Sequence, residues 1–155
     1  MARQPIRVYA DTSVFGGVFD EEFSRSSLVF FDWVRRRRLT LVTSALVEEE
    51  LVPAPERVRR LFEEMLAFAE WVTISREVLD LRRAYVRAGI VTRRSAADAL
   101  HVAMATANHC PVLVSWNCRD IVHFEKVPRY NAVNKLNGFA EMAIHTPLEV
   151  VYDED

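Results

Sequence analysis

Residues 6–13 of this 155-residue chain have the sequence IRVYADTS, which predicts the first strand of the fold. Apolar side chains alternate with Arg7 and Tyr9, which is the pattern of a β-strand. The strand ends at Asp11, and two hydroxyl residues follow it. In a parallel sheet, functional groups are expected directly after the carboxyl ends of the strands, and Asp11 is at such a position.

Strand-like and helix-like segments alternate along the rest of the chain. The predicted strands span residues 5–10, 39–43, 71–74, 112–115 and 142–145. The predicted helices span residues 24–37, 45–51, 58–69, 76–88 and 96–108, with a loop at 16–17 and a helical turn at 120–124. Strands that alternate with helices predict an α/β fold with a largely parallel sheet. We expect a single domain over residues 1–155, with the motifs in 6–121 and a C-terminal strand and frayed acidic tail in 122–155.

Composition excludes several classes of protein. Half of the residues are hydrophobic and the formal net charge is -2, so a disordered chain is excluded. Two cysteines cannot form a disulfide framework, and residues 1–10 have no long apolar stretch, so we expect a cytoplasmic protein. Residues 99–118 contain no Asp, Glu, Lys or Arg. Polar residues interrupt that stretch, which predicts a buried helix and strand and no contact with a membrane.

Positive charge is concentrated in the middle of the chain. Residues 35–94 contain 13 arginines and nine acidic residues, and arginine outnumbers lysine 18 to 2 overall. Guanidinium groups suit phosphate, so this segment could carry a surface that binds a polyanion. A set of solvated helix faces explains the same counts and is the simpler interpretation.

Acidic and amide residues follow the ends of several predicted strands. They are Asp11, residues 48–50, Asp98, Asn117 and Asp120. If strands one and four are neighbours, these side chains meet at one edge of the sheet. Clustered carboxylates repel one another and coexist at low cost only around a cation. Oxygen ligands without a matching His or Cys set favour Mg²⁺ or Mn²⁺.

Each candidate also has a purely structural interpretation. Asp11 could cap a helix, Asp98 could form a capping box with Ser95, and Glu50 could be one more solvated glutamate. Asp120 could be a turn residue. His101 is expected to pack near Asp98 and not to bind metal. The remaining His and Cys residues have no spacing typical of zinc ligands.

Four segments together resemble the PIN domain family. They are residues 8–13 (VYADTS), 43–51 (TSALVEEEL), 97–103 (ADALHVA) and 113–117 (LVSWN), and they occur in the order of the family's motifs. Residues 115–150 also resemble a bacterial and archaeal branch of that family. The resemblance implies a three-layer α/β fold with a five-stranded parallel sheet of order 3-2-1-4-5.

The resemblance also implies a function and a site. It implies cleavage of RNA that depends on Mg²⁺ or Mn²⁺, often by the VapC-type toxin of a toxin–antitoxin pair. By motif match, Asp11, Glu50 and Asp98 would bind the metal, while Ser13 and Asn117 would support its ligand shell. A homodimer and an antitoxin protein are the partners that the resemblance implies.

One position departs from the family pattern. Many relatives have Asp where this chain has Asn117, so the site loses one negative charge, which Asp120 could restore. A non-catalytic PIN-like module that binds RNA or protein is therefore a second hypothesis. A third is a phosphotransferase with Asp11 as nucleophile, but the expected second Asp is replaced by Ser13.

Overall fold

The computed structural model describes residues 4–151. Its centre is a sheet of five parallel strands in the order β3-β2-β1-β4-β5, which confirms the predicted order. The strands are β1 (Ile6–Ala10), β2 (Leu39–Ser44), β3 (Ala69–Val72), β4 (Val112–Val114) and β5 (Ala143–His145).

Strand β1 lies in the middle of the sheet. Val8 pairs with Leu41 of β2 on one side and with Val112 of β4 on the other. The side chains of Val8 and Tyr9 are fully buried, as expected for a parallel strand covered on both faces. The carboxyl end of β1 therefore opens between the ends of β2 and β4.

Helices flank the sheet in two packed groups. The first contains α1, α2, α4 and α8, and the second contains α5, α6 and α7. The helices are α1 (Thr12–Gly17), α2 (Ser24–Arg35), α3 (Ala45–Glu50), α4 (Glu56–Met65), α5 (Arg76–Arg87), α6 (Ala96–Ala107), α7 (Lys126–Leu136) and α8 (Pro147–Val150).

The predicted boundary between helix α4 and strand β3 is wrong. The helix predicted over 58–69 ends at Met65, and a 3-10 turn, Leu66–Phe68, leads into β3 two residues earlier than expected. The reason is pairing with the neighbouring strand, because Ala69 lies opposite Leu41 in the sheet. β3 is an edge strand with exposed side chains, so its hydrophobic pattern is weak.

Three other segments differ from the sequence prediction. Gly16 and Gly17 belong to α1 and do not form a loop. Helix α7 was not predicted, because its buried side chains include Asn134 besides Tyr130 and Val133, and no apolar stripe marks it. The helical turn predicted at 120–124 is a turn over 118–121.

The stretch without charged side chains is internal to the fold. Most of α6 is buried, and β4 follows it after a short turn, as predicted. Within residues 4–151, no helix is both long enough and apolar enough to cross a membrane. The acidic residues 153–155, for which we expected fraying, lie outside the described residues.

Gly17 packs closely against Trp116 beside the carboxyl edge of the sheet, and a substitution there tests this contact. The indole of Trp116 stacks on Phe23 at 4.3 Å between ring centroids and donates a 2.9 Å hydrogen bond to Ser27 Oγ. A methyl group at Gly17 would lie 2.7 Å from Trp116 Nε1. We expect Gly17→Ala to lower the free energy of unfolding by roughly 1–3 kcal/mol, measured by urea denaturation, because the added atom overpacks the contact.

Gly16→Ala is the matched control. A methyl group at Gly16 has no neighbour within 4 Å. Alanine is favoured over glycine in a helix, so this variant should keep or raise the free energy of unfolding by up to about 1 kcal/mol. Equal stabilities for the two variants would contradict the close approach of Trp116 to Gly17.

Candidate active site

Asp11 joins the ends of the two central strands. Its backbone N–H donates to the Val114 carbonyl at 3.2 Å. Its Oδ1 accepts hydrogen bonds from the Ser13 N–H at 3.1 Å and from Ser13 Oγ at 2.5 Å. Its Oδ2 accepts a 2.7 Å hydrogen bond from Ser115 Oγ. The carboxylate therefore caps α1, as the structural interpretation expected, and it is also tied to the segment after β4.

The charge of Asp11 is only partly compensated. Burial raises the pKa of its carboxyl above the ordinary value, since the side chain is almost completely removed from solvent. His101 and the hydroxyls of Ser13 and Ser115 act in the opposite direction without cancelling the effect of burial. A buried acid with a raised pKa at the end of a strand is a candidate functional group.

The same serines fix the loop that follows β4. Ser13 Oγ accepts a 2.9 Å hydrogen bond from the Trp116 N–H, and Ser115 Oγ accepts one of 2.9 Å from the Asn117 N–H. Each hydroxyl thus donates to Asp11 and accepts from the loop. This arrangement holds the loop at the carboxyl edge of the sheet.

Glu50 lies at the end of α3 and is fixed by two donors. Its Oε1 accepts a 2.5 Å hydrogen bond from Thr12 Oγ1 and lies 2.5 Å from His101 Nε2. Partial burial opposes ionisation, but the hydrogen bond and charge of His101 outweigh it, aided by Thr12, so the pKa of Glu50 lies below its ordinary value. Glu50 is held as a carboxylate and is not a freely solvated glutamate.

His101 connects Glu50 to a buried chain of hydroxyl groups. Its Nδ1 lies 2.9 Å from Tyr9 Oη, which lies 3.0 Å from Ser44 Oγ. Burial raises the pKa of Tyr9 well above its ordinary value, so the phenol keeps its proton. With Glu50 ionised, one consistent order has Ser44 donating to Tyr9, Tyr9 to His101 and His101 to Glu50. His101 is thus packed, as expected, and it also holds Glu50, a contact that the sequence did not predict.

Asp98 occupies the first turn of α6. Ser95 makes no side-chain capping bond there, so the capping box predicted from the sequence does not form.

The neighbours of Asp98 are mainly acidic. Partial burial raises the pKa of its carboxyl, and the negative charge of Asp120 raises it further. Glu50 and Asp11 act in the same direction, while His101 opposes them. Three separate segments therefore bring negative charge to Asp98.

Asn117 and Asp120 have different environments. Asn117 Oδ1 accepts backbone hydrogen bonds from Arg119 at 3.2 Å and from Asp120 at 3.0 Å, so the amide organises the turn. The buried carboxylate of Asp120 accepts a 2.7 Å hydrogen bond from Lys126 Nζ. Of these two residues, Asp120 is therefore the one that places a negative charge near Asp98.

The carboxylates share one edge of the sheet but do not form a finished metal site. Within residues 4–151, no three His, Cys, Asp or Glu side chains are grouped closely enough to hold an ion. Both ring nitrogens of His101 already have partners, so the available donors are oxygens. Carboxylate oxygens, two of which belong to the acids Asp11 and Asp98 with raised pKa values, fit a hard divalent cation chemically. An ion would have to draw the carboxylates closer together.

Several residues of this network were missed by the sequence analysis. Thr12, Tyr9, Ser44 and Ser115 all contact a candidate acid or its histidine. Ser115 carried a usable signal, since it is a hydroxyl directly after a buried strand. Tyr9 carried none, because it alternates like any other strand residue.

Residues 8–127 match the PIN domain family. The match covers most of the chain, so this protein belongs to that family, whose members are generally nucleases.

Three solved structures share the fold at low sequence identity. VapBC2 from Rickettsia felis, bound to a DNA fragment from its promoter, has a TM-score of 0.58 at 14% identity and covers 91% of this chain and 98% of its own. FitAcB from Neisseria gonorrhoeae has a TM-score of 0.57 at 14% identity and covers 90% and 97%. A toxin–antitoxin complex from Klebsiella pneumoniae has a TM-score of 0.56 at 15% identity and covers 77% and 93%. A comparison with curated protein sequences gives no significant match.

The raised pKa of Asp98 predicts a pH-dependent gain of stability when its charge is removed. Ionisation of Asp98 costs stability in the folded protein. That cost is absent below the unfolded-state pKa of about 3.9 and complete above the raised folded-state pKa. In EDTA, Asp98→Asn should therefore be more stable to urea than the parent protein at pH 7, and the gain should shrink as the pH falls towards 4.

Asp80→Asn is the matched control for this measurement. Asp80 is an exposed carboxylate on α5 that lines a different cavity. The same change of charge there should shift stability much less at pH 7. A loss of stability in Asp98→Asn at pH 7 would contradict the crowding of negative charge around Asp98.

Proposed function

We propose that this protein is a metal-dependent endoribonuclease that hydrolyses RNA phosphodiester bonds with Mg²⁺ or Mn²⁺. One observation supports this above others: Asp11, Glu50, Asp98 and Asp120 come from four segments and interact electrostatically at one edge of the sheet. Membership of the PIN domain family supports the same reaction class.

In this proposal Asp11, Glu50 and Asp98 would hold the metal ion, with Asp120, Asn117 and Ser13 as weaker candidates at the same edge of the sheet. A divalent ion held there would make a water molecule more acidic and stabilise the negative charge that develops on a phosphodiester.

The chain's own groups prepare this site before any ion binds. Three hydrogen bonds fix both oxygens of Asp11, and His101 with Thr12 keeps Glu50 ionised. Asp98 accepts no hydrogen bond from a residue in the 4–151 range, so its carboxylate keeps its capacity for a ligand. Fixed, charged carboxylates reduce the reorganisation that binding requires.

An antitoxin protein and a second copy of this chain are the proposed partners. The structure from Klebsiella pneumoniae is of a toxin–antitoxin complex, and its fold is similar to this one. We therefore propose that this chain acts as the toxin of a type II toxin–antitoxin pair in the cytoplasm.

A non-catalytic module that binds RNA or protein is the second candidate. Two observations favour it: the amide of Asn117 organises a turn, and one oxygen of Glu50 is already engaged by two donors. Calorimetry with Mn²⁺ separates the two candidates. Heat of binding that disappears in Asp98→Asn supports the nuclease, and no heat in the parent protein supports the module.

Activity gives the direct test of the nuclease proposal. Purified protein should cleave single-stranded RNA in Mn²⁺, and EDTA should stop it. Asp11→Asn and Asp98→Asn should each lower the cleavage rate roughly 100-fold, since a lost charged ligand costs a few kcal/mol of charge stabilisation.

Asp80→Asn should retain the parent rate, because Asp80 lies outside the site. Cleavage that survives both EDTA and Asp98→Asn would point to a contaminating nuclease. If no RNA is cleaved in either metal, the proposal is wrong.

A further inference from the structure

An arginine-lined cleft lies between α5 and the start of α6. Its volume is about 510 Å³. The side chains that line it are Arg82, Arg83, Val86, Arg87, Arg93 and Ala96. Four of these six residues carry a positive charge, and none carries a negative charge.

Helix geometry places the arginines of α5 on one face. Arg83 and Arg87 are four residues apart, so they lie one turn above each other, and Arg82 is beside them. Arg93 approaches from the 3-10 turn Arg93–Ser95, which leads into α6. The cleft is therefore built from two elements, and not from one charged helix.

The four guanidinium groups have no acidic partner among residues 4–151. No ion pair joins any of them to a described carboxylate. Other arginines are paired: Arg7 lies 2.6 Å from Glu70, and Arg35 lies 3.0 Å from Glu64. The arginines of the cleft thus differ from those of a solvated helix face laced with ion pairs.

The acids of α5 do not line the cleft. Glu77 and Asp80 line a separate cavity with Asn137 and Phe139. The side chains that line the cleft therefore include no negative charge. Four like charges that face a common space repel one another, and a bound anion relieves that repulsion.

The chemistry of the cleft favours phosphates over acidic side chains of a protein. Guanidinium groups bind phosphates and carboxylates alike through two parallel hydrogen bonds, so the rest of the lining decides between the two. Only Val86 and Ala96 offer apolar surface, so the cleft has little to anchor a protein partner.

The cleft ends at the first turn of α6, and the same turn carries Asp98. Ala96 lines the cleft and Asp98 follows two residues later, so the two side chains leave the same turn of the helix on different faces. We propose that this cleft binds the phosphate backbone of the RNA strand on which the Asp98 site acts. This inference rests on the proposed function, and it assigns the substrate-holding surface to Arg82, Arg83, Arg87 and Arg93.

Binding of a labelled single-stranded RNA tests the cleft without cleavage. Fluorescence anisotropy is measured in EDTA over a range of salt concentrations for the parent protein and for Arg83→Gln/Arg87→Gln. Loss of two phosphate contacts should weaken binding roughly tenfold or more at low salt. It should also reduce the slope of log affinity against log salt by about 1.4.

Arg36→Gln/Arg60→Gln is the matched control with the same change of charge. Both arginines are exposed and pair with acids of their own helices, Arg36 with Asp32 and Arg60 with Glu56. This variant should keep the parent affinity to within a factor of about three. An equal loss of RNA affinity in the two variants would show that RNA binding depends on the overall charge of the protein. That result would overturn the proposal that the cleft binds RNA.

Competition with poly-glutamate of equal charge tests the class of ligand. RNA should be displaced by inorganic polyphosphate and poorly by poly-glutamate. Equal displacement by both would overturn the assignment to a phosphate backbone.

The cleft and the nuclease proposal fail separately. If the protein cleaves RNA but its RNA affinity does not change in Arg83→Gln/Arg87→Gln, only the proposal for the cleft is wrong. If the protein does not cleave RNA but its RNA affinity still falls in that variant, only the nuclease proposal is wrong.

Discussion

The carboxylate of Asp11 is the group on which the arrangement of the site depends. It ends β1, caps α1 and binds the hydroxyl of Ser115 after β4, so it connects the two central strands where they open. Ser13 completes this connection by bonding both Asp11 and the loop that follows β4. The cost of burying the charge is visible in the raised pKa of Asp11. In return for the cost of burial, the Asp11 carboxylate is held in a fixed position by its hydrogen bonds to Ser13 and Ser115.

Charge is divided between two neighbouring surfaces of the molecule. Carboxylates gather at the carboxyl edge of the sheet, and those of Asp120, Glu50 and Asp11 each raise the pKa of Asp98. Arginines that pair with no acid of residues 4–151 gather on α5 and at the turn that leads into α6. Neither surface is neutral by itself. A cation at the first and a polyanion at the second would neutralise both, which is what the proposed nuclease requires.

The sequence predicts the parts of the fold that depend on local patterns. Strand β1 and the acid after it follow from alternation and from a hydroxyl-rich turn, and the order of the sheet follows from the family motifs. The third strand was predicted, but the exact start of edge strand β3 and the whole of helix α7 escaped prediction, because neither segment has a continuous apolar stripe. The chain from Ser44 through Tyr9 and His101 to Glu50 also escaped it. These residues are far apart in sequence, and only the packed structure brings their polar atoms within hydrogen-bond distance.

We propose that acids from separate segments share one hard divalent cation, and anomalous diffraction from a crystal grown with Mn²⁺ can locate it. A peak is expected at the carboxyl edge of the sheet, with oxygens of Asp11 and Asp98 within about 2.0–2.6 Å of the ion. Full occupancy of Mn²⁺ at other surfaces with none beside Asp11 and Asp98 would contradict it.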